Sequence, residues 1–365
     1  MEPIRILHFG TGGGSGVTRF LVDLAAGHAA RGRFAPLVVF RRKKQPVGDA
    51  FLRDLAAAGV PHREVRAAPK FLTILELRRI IREFRPQVVA AHGYSDHLWG
   101  RIAALREDVP VIVQVEHNFE RYKWLHRWRS RRLAARTDAI VTVSRGVAER
   151  LAGWGFPPAK LHPIYNGVRL DRFAGVTDDW MQREPAVIMA ARFSRQKDHA
   201  TLLRAAALLR DAGMPVPVRL AGGGSGRHER VARSLSRALG LEGLVEFLGP
   251  RDDLPALYRR HRIAVLSTHF EGFGLVVVEA MAAGCAVVAT RAPGVAELID
   301  PGRTGWLAEP DDAESLATAI RKALAPEAAA VAAAGREHSL VHFGLDRMMD
   351  DYERLLLDLL ARKNA

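Results

Sequence analysis

The sequence predicts an α/β protein with two Rossmann-like parallel sheets, each covered by helices. Short β-branched runs alternate with longer helical patterns, which is typical of βαβ units. This alternation stops at a polar stretch near residues 169–184 and then starts again. The length of 365 residues also favours two domains over one.

Ten strands and eight helices follow from these patterns. The strands lie near residues 4–9, 37–40, 88–91, 111–115, 139–143, 186–190, 218–221, 245–248, 263–267 and 286–290. The helices lie near residues 17–31, 74–84, 120–135, 200–211, 229–239, 276–283, 327–334 and 346–361. We expect one domain at residues 1–168, a linker at 169–184, a second domain at 185–345 and a C-terminal helix at 346–365. Because ligands of open parallel sheets bind beyond the carboxyl ends of the strands, we expect the site in a cleft between two facing domains.

The composition is that of an ordinary globular chain. Apolar residues make up 48% and charged residues 26%, which excludes a disordered or collagen-like protein. The single cysteine, Cys285, excludes an intramolecular disulfide. No run of about 18 uncharged apolar residues occurs, and the first residues resemble a strand rather than a signal peptide. We therefore expect a cytoplasmic location.

The net charge of +14 is concentrated in the first half of the chain. Residues 1–170 contain 29 Lys and Arg against 14 Asp and Glu, whereas residues 171–365 contain 25 against 26. A one-sided basic field indicates an anionic partner such as a phosphorylated lipid, an anionic membrane face or nucleic acid. No zinc-ligand spacing, helix-turn-helix or RNA-stacking motif accompanies the charge, so we expect no nucleic-acid partner.

Two glycine-rich loops follow predicted strands and open predicted helices, at residues 10–17 and 222–226. Backbone N–H groups of glycines approach phosphate oxygens closely, and the helix N-terminus adds its dipole. Both loops are therefore candidates for anion binding, with simple tight turns as the alternative. Neither loop has the spacing of a dinucleotide fingerprint or the end of a Walker loop, which disfavours a nicotinamide enzyme.

Charged residues follow two strands of the second half. Arg192 and Lys197 come after the first of these strands, and Glu271 and Glu279 lie eight positions apart across a glycine-rich turn that enters a helix. Taken singly, these residues could be surface charges or a helix-start acid. Their order along the chain, combined with further motifs, is more informative.

The ordered set resembles the retaining nucleotide-sugar glycosyltransferases of the GT-B fold, family 4, also called group 1 glycosyl transferases. The resemblance covers nearly the whole chain. It rests on residues 10–17, 143–144, 165–168, Arg192 with Lys197, residues 221–224, 247–249, Glu271 with Glu279, residues 280–284 and 296–299. Ser267-Thr268 and Ala286 depart from the pattern, at positions where the family usually has Pro-Ser and Pro.

The resemblance implies a nucleoside-diphosphate sugar as co-substrate and no further cofactor. Arg192 and Lys197 would stabilise negative charge on the departing diphosphate. Glu279 would hold the ribose hydroxyls and Glu271 the sugar hydroxyls. Because no Asp-x-Asp motif occurs, we expect no metal. The other implied donor-binding residues are Gly14, Ser15, Gly16, Gly249, Gly272, Phe273, Gly274 and Leu275.

Two histidines follow strands of the first half. His117 stands where the family has an acceptor-side histidine, and we expect it to act in catalysis. His92 is the second candidate. A purely structural role stays open for either residue.

Residues 120–133 form a basic segment with two tryptophans, Trp124 and Trp128. On a helix these tryptophans, Leu125 and Arg132 share one side, a pattern suited to a lipid headgroup layer. Because each basic residue near an anionic leaflet contributes about 1 kcal/mol, we expect reversible binding to the inner face of the plasma membrane. The alternative is that the tryptophans belong to the core.

The leading hypothesis is a metal-independent, retaining transferase that moves a hexose-type sugar from a UDP- or GDP-sugar to a lipid-linked or cell-surface glycan. A nucleotide-sugar epimerase of the same architecture is the main alternative. A hydrolase that uses Glu271 and Glu279 is a further one, although the glycine-rich turn between them does not suit that role.

Overall fold

Two compact units make up the protein. The computed structural model describes residues 2–13, 16–42, 46–94, 96–119, 122–173, 179–224 and 226–364. The first unit comprises residues 1–166 and 346–365, and the second comprises residues 167–345. Each unit contains one sheet whose paired strands all run parallel.

Seven strands form the sheet of the first unit. They are β1 (Ile4–Thr11), β2 (Phe34–Arg41), β3 (His62–Val65), β4 (Val88–His92), β5 (Val111–Glu116), β6 (Ala139–Thr142) and β7 (Leu161–Pro163). Their order is β3-β2-β1-β4-β5-β6-β7. The strands β4, β5 and β6 are buried along their whole length, as expected when helices cover both faces of a parallel sheet.

Six helices connect these strands. They are α1 (Gly16–Arg31), α2 (Asp49–Ala57), α3 (Lys70–Phe84), α4 (Asp96–Arg106), α5 (Trp124–Ala134) and α6 (Arg145–Gly153). Ser144 caps the start of α6, because its side chain accepts a hydrogen bond from the N–H of Val147 and so satisfies one free donor of the first turn.

The second unit has a six-stranded sheet and six helices. The strands are β8 (Glu184–Ala190), β9 (Val218–Ala221), β10 (Val245–Gly249), β11 (His261–Leu266), β12 (Ala286–Thr290) and β13 (Trp306–Ala308), in the order β10-β9-β8-β11-β12-β13. The helices are α7 (His199–Asp211), α8 (Gly226–Ala238), α9 (Leu254–Arg260), α10 (Leu275–Ala282), α11 (Ala313–Leu324) and α12 (Ala328–His342). The described part of the 169–184 segment also belongs to this unit, where the indole N–H of Trp180 donates to the carbonyl of Arg262 at 3.2 Å.

The last helix, α13 (Leu345–Asn364), packs on the first unit from residue 346 onward. Met349 lies against α1, where a Cβ on Gly27 would come within 2.7 Å of its sulfur atom. A guanidinium nitrogen of Arg31 lies 2.6 Å from a carboxylate oxygen of Asp350. The chain therefore returns to its first unit at the end.

The predicted end of the Ala-rich helix is wrong. The pattern placed it at residue 334, whereas α12 continues to His342. Gly335 lets the continuing helix pack closely against Thr304. Any other residue would place its Cβ only 2.6 Å from the carbonyl oxygen of Thr304. Glycine lowers helix propensity but permits this close packing. Across the described residues, no helix is both long enough and apolar enough to cross a bilayer.

Candidate active site

The site residues of the second unit lie at the carboxyl edge of its sheet. In the strand order, β8 and β11 are neighbours, and the chain leaves them toward opposite sides of the sheet. The loops after such a pair of strands diverge and leave a crevice, which is where open parallel sheets bind ligands. Arg192 and Lys197 follow β8, and Glu271 follows β11.

Lys197 and Glu271 form an ion pair. The ammonium group of Lys197 contacts the Oε1 atom of Glu271, and the two side chains are only 12% and 13% exposed. Arg192 is exposed, and no carboxylate of a described residue pairs with it. In this loop Lys197 is therefore a paired cation, whereas Arg192 is open to a ligand.

Hydrogen bonds tie the two loops together. The side-chain amide of Gln196 donates to the carbonyl of Phe270 at 2.7 Å. The hydroxyl of Thr268 lies 2.9 Å from the carbonyl oxygen of Gln196 and 3.2 Å from the Oε1 atom of Glu271. The Thr268 hydroxyl therefore contacts both loops, and the Thr that stands where the family usually has Ser keeps this hydroxyl. The sequence analysis missed both Gln196 and Thr268 as supporting residues.

Gly294, in the loop after β12, supports the Glu271 loop. Its φ is +78°, and a Cβ at this position would lie 1.9 Å from the carbonyl oxygen of Glu271. The N–H of Glu271 donates to the carbonyl of Pro293 at 3.1 Å. Only glycine fits this contact.

The turn that follows Glu271 leads directly into α10. Gly272, Phe273 and Gly274 are buried, whereas Leu275 at the start of the helix is exposed. Gly274 caps the helix with a φ of +80°, a conformation that glycine adopts without strain. The first N–H groups of α10 therefore face the same edge of the sheet as Lys197, and the helix dipole adds positive potential there.

Glu279 lies one turn into α10. Burial raises the pKa of its carboxyl group to about 7, and the nearby Arg172 partly opposes this effect. The carboxylate form of Glu279 is therefore poorly solvated by water and is disfavoured relative to the protonated form. Hydrogen bonds donated by ligand hydroxyls would stabilise this poorly solvated carboxylate.

The glycine-rich loop after β9 packs against the Arg192 loop. A Cβ on Gly222 would lie 2.0 Å from the carbonyl oxygen of Ala191, and a Cβ on Gly224 would lie 2.5 Å from that of Phe193. These glycines thus serve close backbone packing. Gly249 ends β10 with a φ of +68°, and its carbonyl accepts a hydrogen bond from the N–H of Gly222 at 2.8 Å.

The remaining predicted residues belong to the first unit. His117 follows β5, and its Nε2 atom lies 3.2 Å from Nδ1 of His92. His92 is fully buried, and its Nε2 atom lies 3.2 Å from Nδ1 of His8, so both of its nitrogens face other histidines and it cannot meet a substrate directly. Gly16 begins α1, whereas Gly14 and Ser15 lie outside the described residues.

Two family models match adjoining parts of the chain. The model described as Glycosyltransferase Family 4 matches residues 14–172, and the model described as Glycosyl transferases group 1 matches residues 179–338. The chain belongs to the group 1 glycosyltransferases. The family match favours a transferase over the epimerase and the hydrolase that the sequence analysis left open.

Relatives of this glycosyltransferase match over most of its length. It is 26% identical to the lipopolysaccharide core biosynthesis glycosyltransferase LpsE of Rhizobium meliloti (strain 1021), over 97% of this chain and 99% of LpsE. It is 29% identical to a D-inositol 3-phosphate glycosyltransferase of Rhodococcus opacus (strain B4), over 90% of this chain and 83% of that protein.

Solved structures show the same architecture. The structure of HepE from Anabaena in complex with UDP has a TM-score of 0.85 and 21% identity, covering 97% of this chain and 100% of HepE. A glycosyltransferase from Rickettsia africae has a TM-score of 0.86 and 20% identity, covering 99% of each chain. The glycosyltransferase therefore has the GT-B fold, with two Rossmann-like units.

The basic helix α5 of the glycosyltransferase exposes its large apolar side chains. Trp124 is 74% exposed, Trp128 48% and Leu125 38%, so the two tryptophans do not belong to the core. The guanidinium carbon of Arg132 lies 4.8 Å from the ring centre of Trp128. The helix begins at Trp124, and residues 120 and 121 of the predicted segment lie outside the described residues.

A buried polar network holds α5 in place. The guanidinium of Arg101 on α4 donates to the carbonyl of His97 at 3.0 Å, to the hydroxyl of Ser130 on α5 at 2.7 Å and to that of Thr137 at 3.0 Å. Arg101 is fully buried, and burial lowers its pKa to about 10. These buried hydrogen bonds therefore fix the inner side of α5, and its tryptophans are exposed on the other side.

Proposed function

We propose that this glycosyltransferase moves a hexose-type sugar from a nucleoside-diphosphate sugar to a lipid-linked or cell-surface glycan, with retention of the anomeric configuration and without a metal ion. The observation that carries the proposal is the Lys197–Glu271 pair beside Arg192, at the edge of the sheet where parallel strands bind ligands. We take the donor to be a UDP- or GDP-sugar.

The charge change of the reaction supports these roles. When the bond between the anomeric carbon and the diphosphate oxygen breaks, negative charge grows on the diphosphate, and a fixed cation near this oxygen lowers the barrier. Arg192 is free to meet the diphosphate, and Lys197 is held in place by Glu271. The N–H groups at the start of α10 add to the same field.

The donor's other groups have candidate partners in the same unit. We assign the ribose hydroxyls to Glu279 and the sugar hydroxyls to Glu271, which is already oriented by Lys197 and Thr268. The acceptor side is assigned to His117 in the first unit. HepE was solved with UDP, with UDP and glucose, and with UDP-glucose, which supports a UDP-sugar. LpsE, named for lipopolysaccharide core biosynthesis, supports a glycan acceptor in polysaccharide assembly.

Isothermal titration calorimetry with UDP, GDP, UDP-sugars and GDP-sugars tests donor binding. We expect the double variant R192A/K197A to lose at least tenfold in affinity for the diphosphate, since each charge-assisted contact contributes about 1.5–3 kcal/mol. Arg195 is exposed on the same turn, so R195A is the matched control and should bind as the wild type does. Equal affinity of all three proteins for every nucleotide would refute the assignment. The anomeric proton coupling of the product, read by NMR, tests retention.

Treatment with a chelator tests the metal-independent mechanism. Within the described part of the chain, ligand atoms of Asp198, His269 and Asp311 lie within 4.8 Å of one another, so a metal would have one candidate place near the site. We expect full turnover in the presence of EDTA. The opposite result would be that EDTA abolishes turnover and that added Mg²⁺ or Mn²⁺ restores it in the wild type but not in D311N. This result would show that the reaction uses this cluster.

We further propose that α5 binds an anionic membrane, at the inner face of the plasma membrane. Its exposed tryptophans suit the headgroup layer, and the basic residues around them suit anionic lipids. In vesicle sedimentation we expect the wild type to bind vesicles with phosphatidylglycerol and not neutral ones, and W124S/W128S to lose binding. Phe71 on α3 is 61% exposed, which makes F71S the matched control. Equal recovery with neutral and anionic vesicles would contradict the proposal.

A further inference from the structure

Four histidine rings form a continuous hydrogen-bonded chain in the first unit. The Nδ1 atom of His28 lies 3.2 Å from Nε2 of His8, Nδ1 of His8 lies 3.2 Å from Nε2 of His92, and Nδ1 of His92 lies 3.2 Å from Nε2 of His117. We call these four residues the histidine chain. It runs from α1 through β1 and β4 to the loop after β5.

The inner three rings are enclosed by protein. His28, His8 and His92 have no solvent exposure. Phe34 packs against His28 with ring centres 4.8 Å apart, and Phe20 packs against His117 at 4.7 Å. Burial lowers the pKa of His8 and of His117 to about 3, and it holds the pKa of His28 and His92 well below the ordinary value. All four imidazoles are therefore neutral at pH 7.

A neutral imidazole carries one N–H and one lone pair. Each of the three contacts joins an Nδ1 to an Nε2 and needs one donor and one acceptor. If one ring carries its proton on Nδ1, every other ring must do the same, because a mixed chain leaves two donors or two lone pairs facing each other. The chain therefore has only two arrangements, with all four protons on Nδ1 or all four on Nε2.

The two ends of the chain differ. At the inner end, Nε2 of His28 is buried and has no partner among the described residues, so a proton has no exit there. At the outer end, Nε2 of His117 is taken up by His92, and only Nδ1 is left for a ligand. This geometry therefore does not provide a proton path to solvent. It fixes the His117 ring so that its Nδ1 atom is the one left for a ligand.

We propose that His92, His8 and His28 are positioning residues, which orient the His117 ring and couple its tautomer to their own, so that its Nδ1 meets a hydroxyl group of the sugar substrates. This inference rests on the function proposed above. It assigns a role in turnover to His28, which lies three hydrogen bonds away from the histidine that would meet the substrate. Partners that orient metal-bound histidines change affinity or activity by about 10–100-fold, and we expect an effect at the lower end of this range here.

Histidine-ring nitrogen NMR on the intact enzyme tests the chain without any substrate. Long-range proton–nitrogen spectra at pH 7 distinguish Nδ1–H from Nε2–H rings. We expect His28, His8, His92 and His117 to be neutral and to share one tautomer. Protonated rings, or a mixture of the two tautomers among the four, would overturn the inference whatever the enzyme's reaction is.

Activity variants test the positioning role. His28→Leu cuts the chain at its inner end, whereas His28→Asn keeps an amide near the position of Nδ1. We expect H28L to lower kcat by about tenfold with donor affinity unchanged, and H28N to recover most of it. Val22 is buried on another side of α1, in a cluster with Val38 and Phe40, so V22A controls for lost packing.

The outcomes are distinguishable. If H28L is folded and turns over as the wild type does, or loses no more than V22A, the positioning role is wrong. If the wild type neither binds nor uses any nucleotide-sugar, the proposed function fails instead, and the NMR result still stands on its own.

Discussion

Replacing Glu279 by Gln should make the enzyme more stable and a poorer binder of its donor. Burial raises the pKa of Glu279 to about 7 from 4.5, which corresponds to about 3 kcal/mol against the charged form. An acid whose pKa is higher in the folded state destabilises the fold as pH rises from the unfolded value toward the folded one. The penalty is therefore absent below pH 4.5 and complete above about pH 7. Gln has the same shape and no such penalty.

Melting curves without donor, from pH 5 to pH 8.5, measure this effect. We expect E279Q and the wild type to differ little at pH 5, and E279Q to melt several degrees higher at pH 8. Glu242 is exposed in the same unit, so E242Q is the control and should show no such divergence. Calorimetry should show weaker donor binding by E279Q, because an amide accepts the ribose hydroxyls less strongly than a carboxylate. A melting difference that does not depend on pH would refute the reasoning.

Three further changes test the supporting contacts. Gly294→Ala should weaken UDP binding by more than about tenfold, measured by calorimetry. The added Cβ would lie only 1.9 Å from the carbonyl oxygen of Glu271, so the Glu271 loop would have to move. Thr268→Val should lower kcat by about tenfold in a donor-turnover assay, and Thr268→Ser should restore it, because the hydroxyl holds the carboxylate of Glu271. Arg101→Met should lower the unfolding free energy by about 1–3 kcal/mol in urea titrations, because it leaves the buried hydroxyl of Ser130 without its donor. Unchanged binding, turnover or stability would contradict the respective contact.

The site illustrates how backbone packing positions charged side chains. Gly222, Gly224 and Gly294 each bring a loop within a distance that no other residue would allow, and none of them needs to touch a ligand for this. Gly222 and Gly224 pack against the Arg192 loop, and Gly294 packs against the Glu271 loop. The glycines that looked like phosphate binders in the sequence thus act first as spacers between loops.

The central strands could be predicted because they are buried on both sides. Continuous apolar runs such as β4 and β5 are required wherever helices cover both faces of a sheet, so the pattern identifies them directly. The edge strands β3, β7 and β13 were missed. In β3 only Val65 is buried, and the strand exists because it pairs with β2. Such a strand has no pattern of its own to recognise.

The helix α4 was missed for a different reason. Its buried face includes Asp96, His97 and Arg101, which an amphipathic pattern treats as solvent-facing. These side chains are tolerated inside because each has a polar partner: Arg101 contacts Ser130 and Thr137, Asp96 pairs with Arg41, and His97 contacts the hydroxyl of Tyr122. Contacts of this kind are made between segments far apart in the chain, so no local pattern records them.

The amino-acid sequence by itself determined the two-sheet α/β class, the charged residues of the second unit and the family to which they belong, because apolar periodicity and motif order are local properties. The tertiary structure alone decided which of these residues meet. It paired Lys197 with Glu271, placed Gly294 behind them and aligned four histidines from separate elements. Distances between side chains depend on strand order and register, and neither is set until the whole sheet has formed.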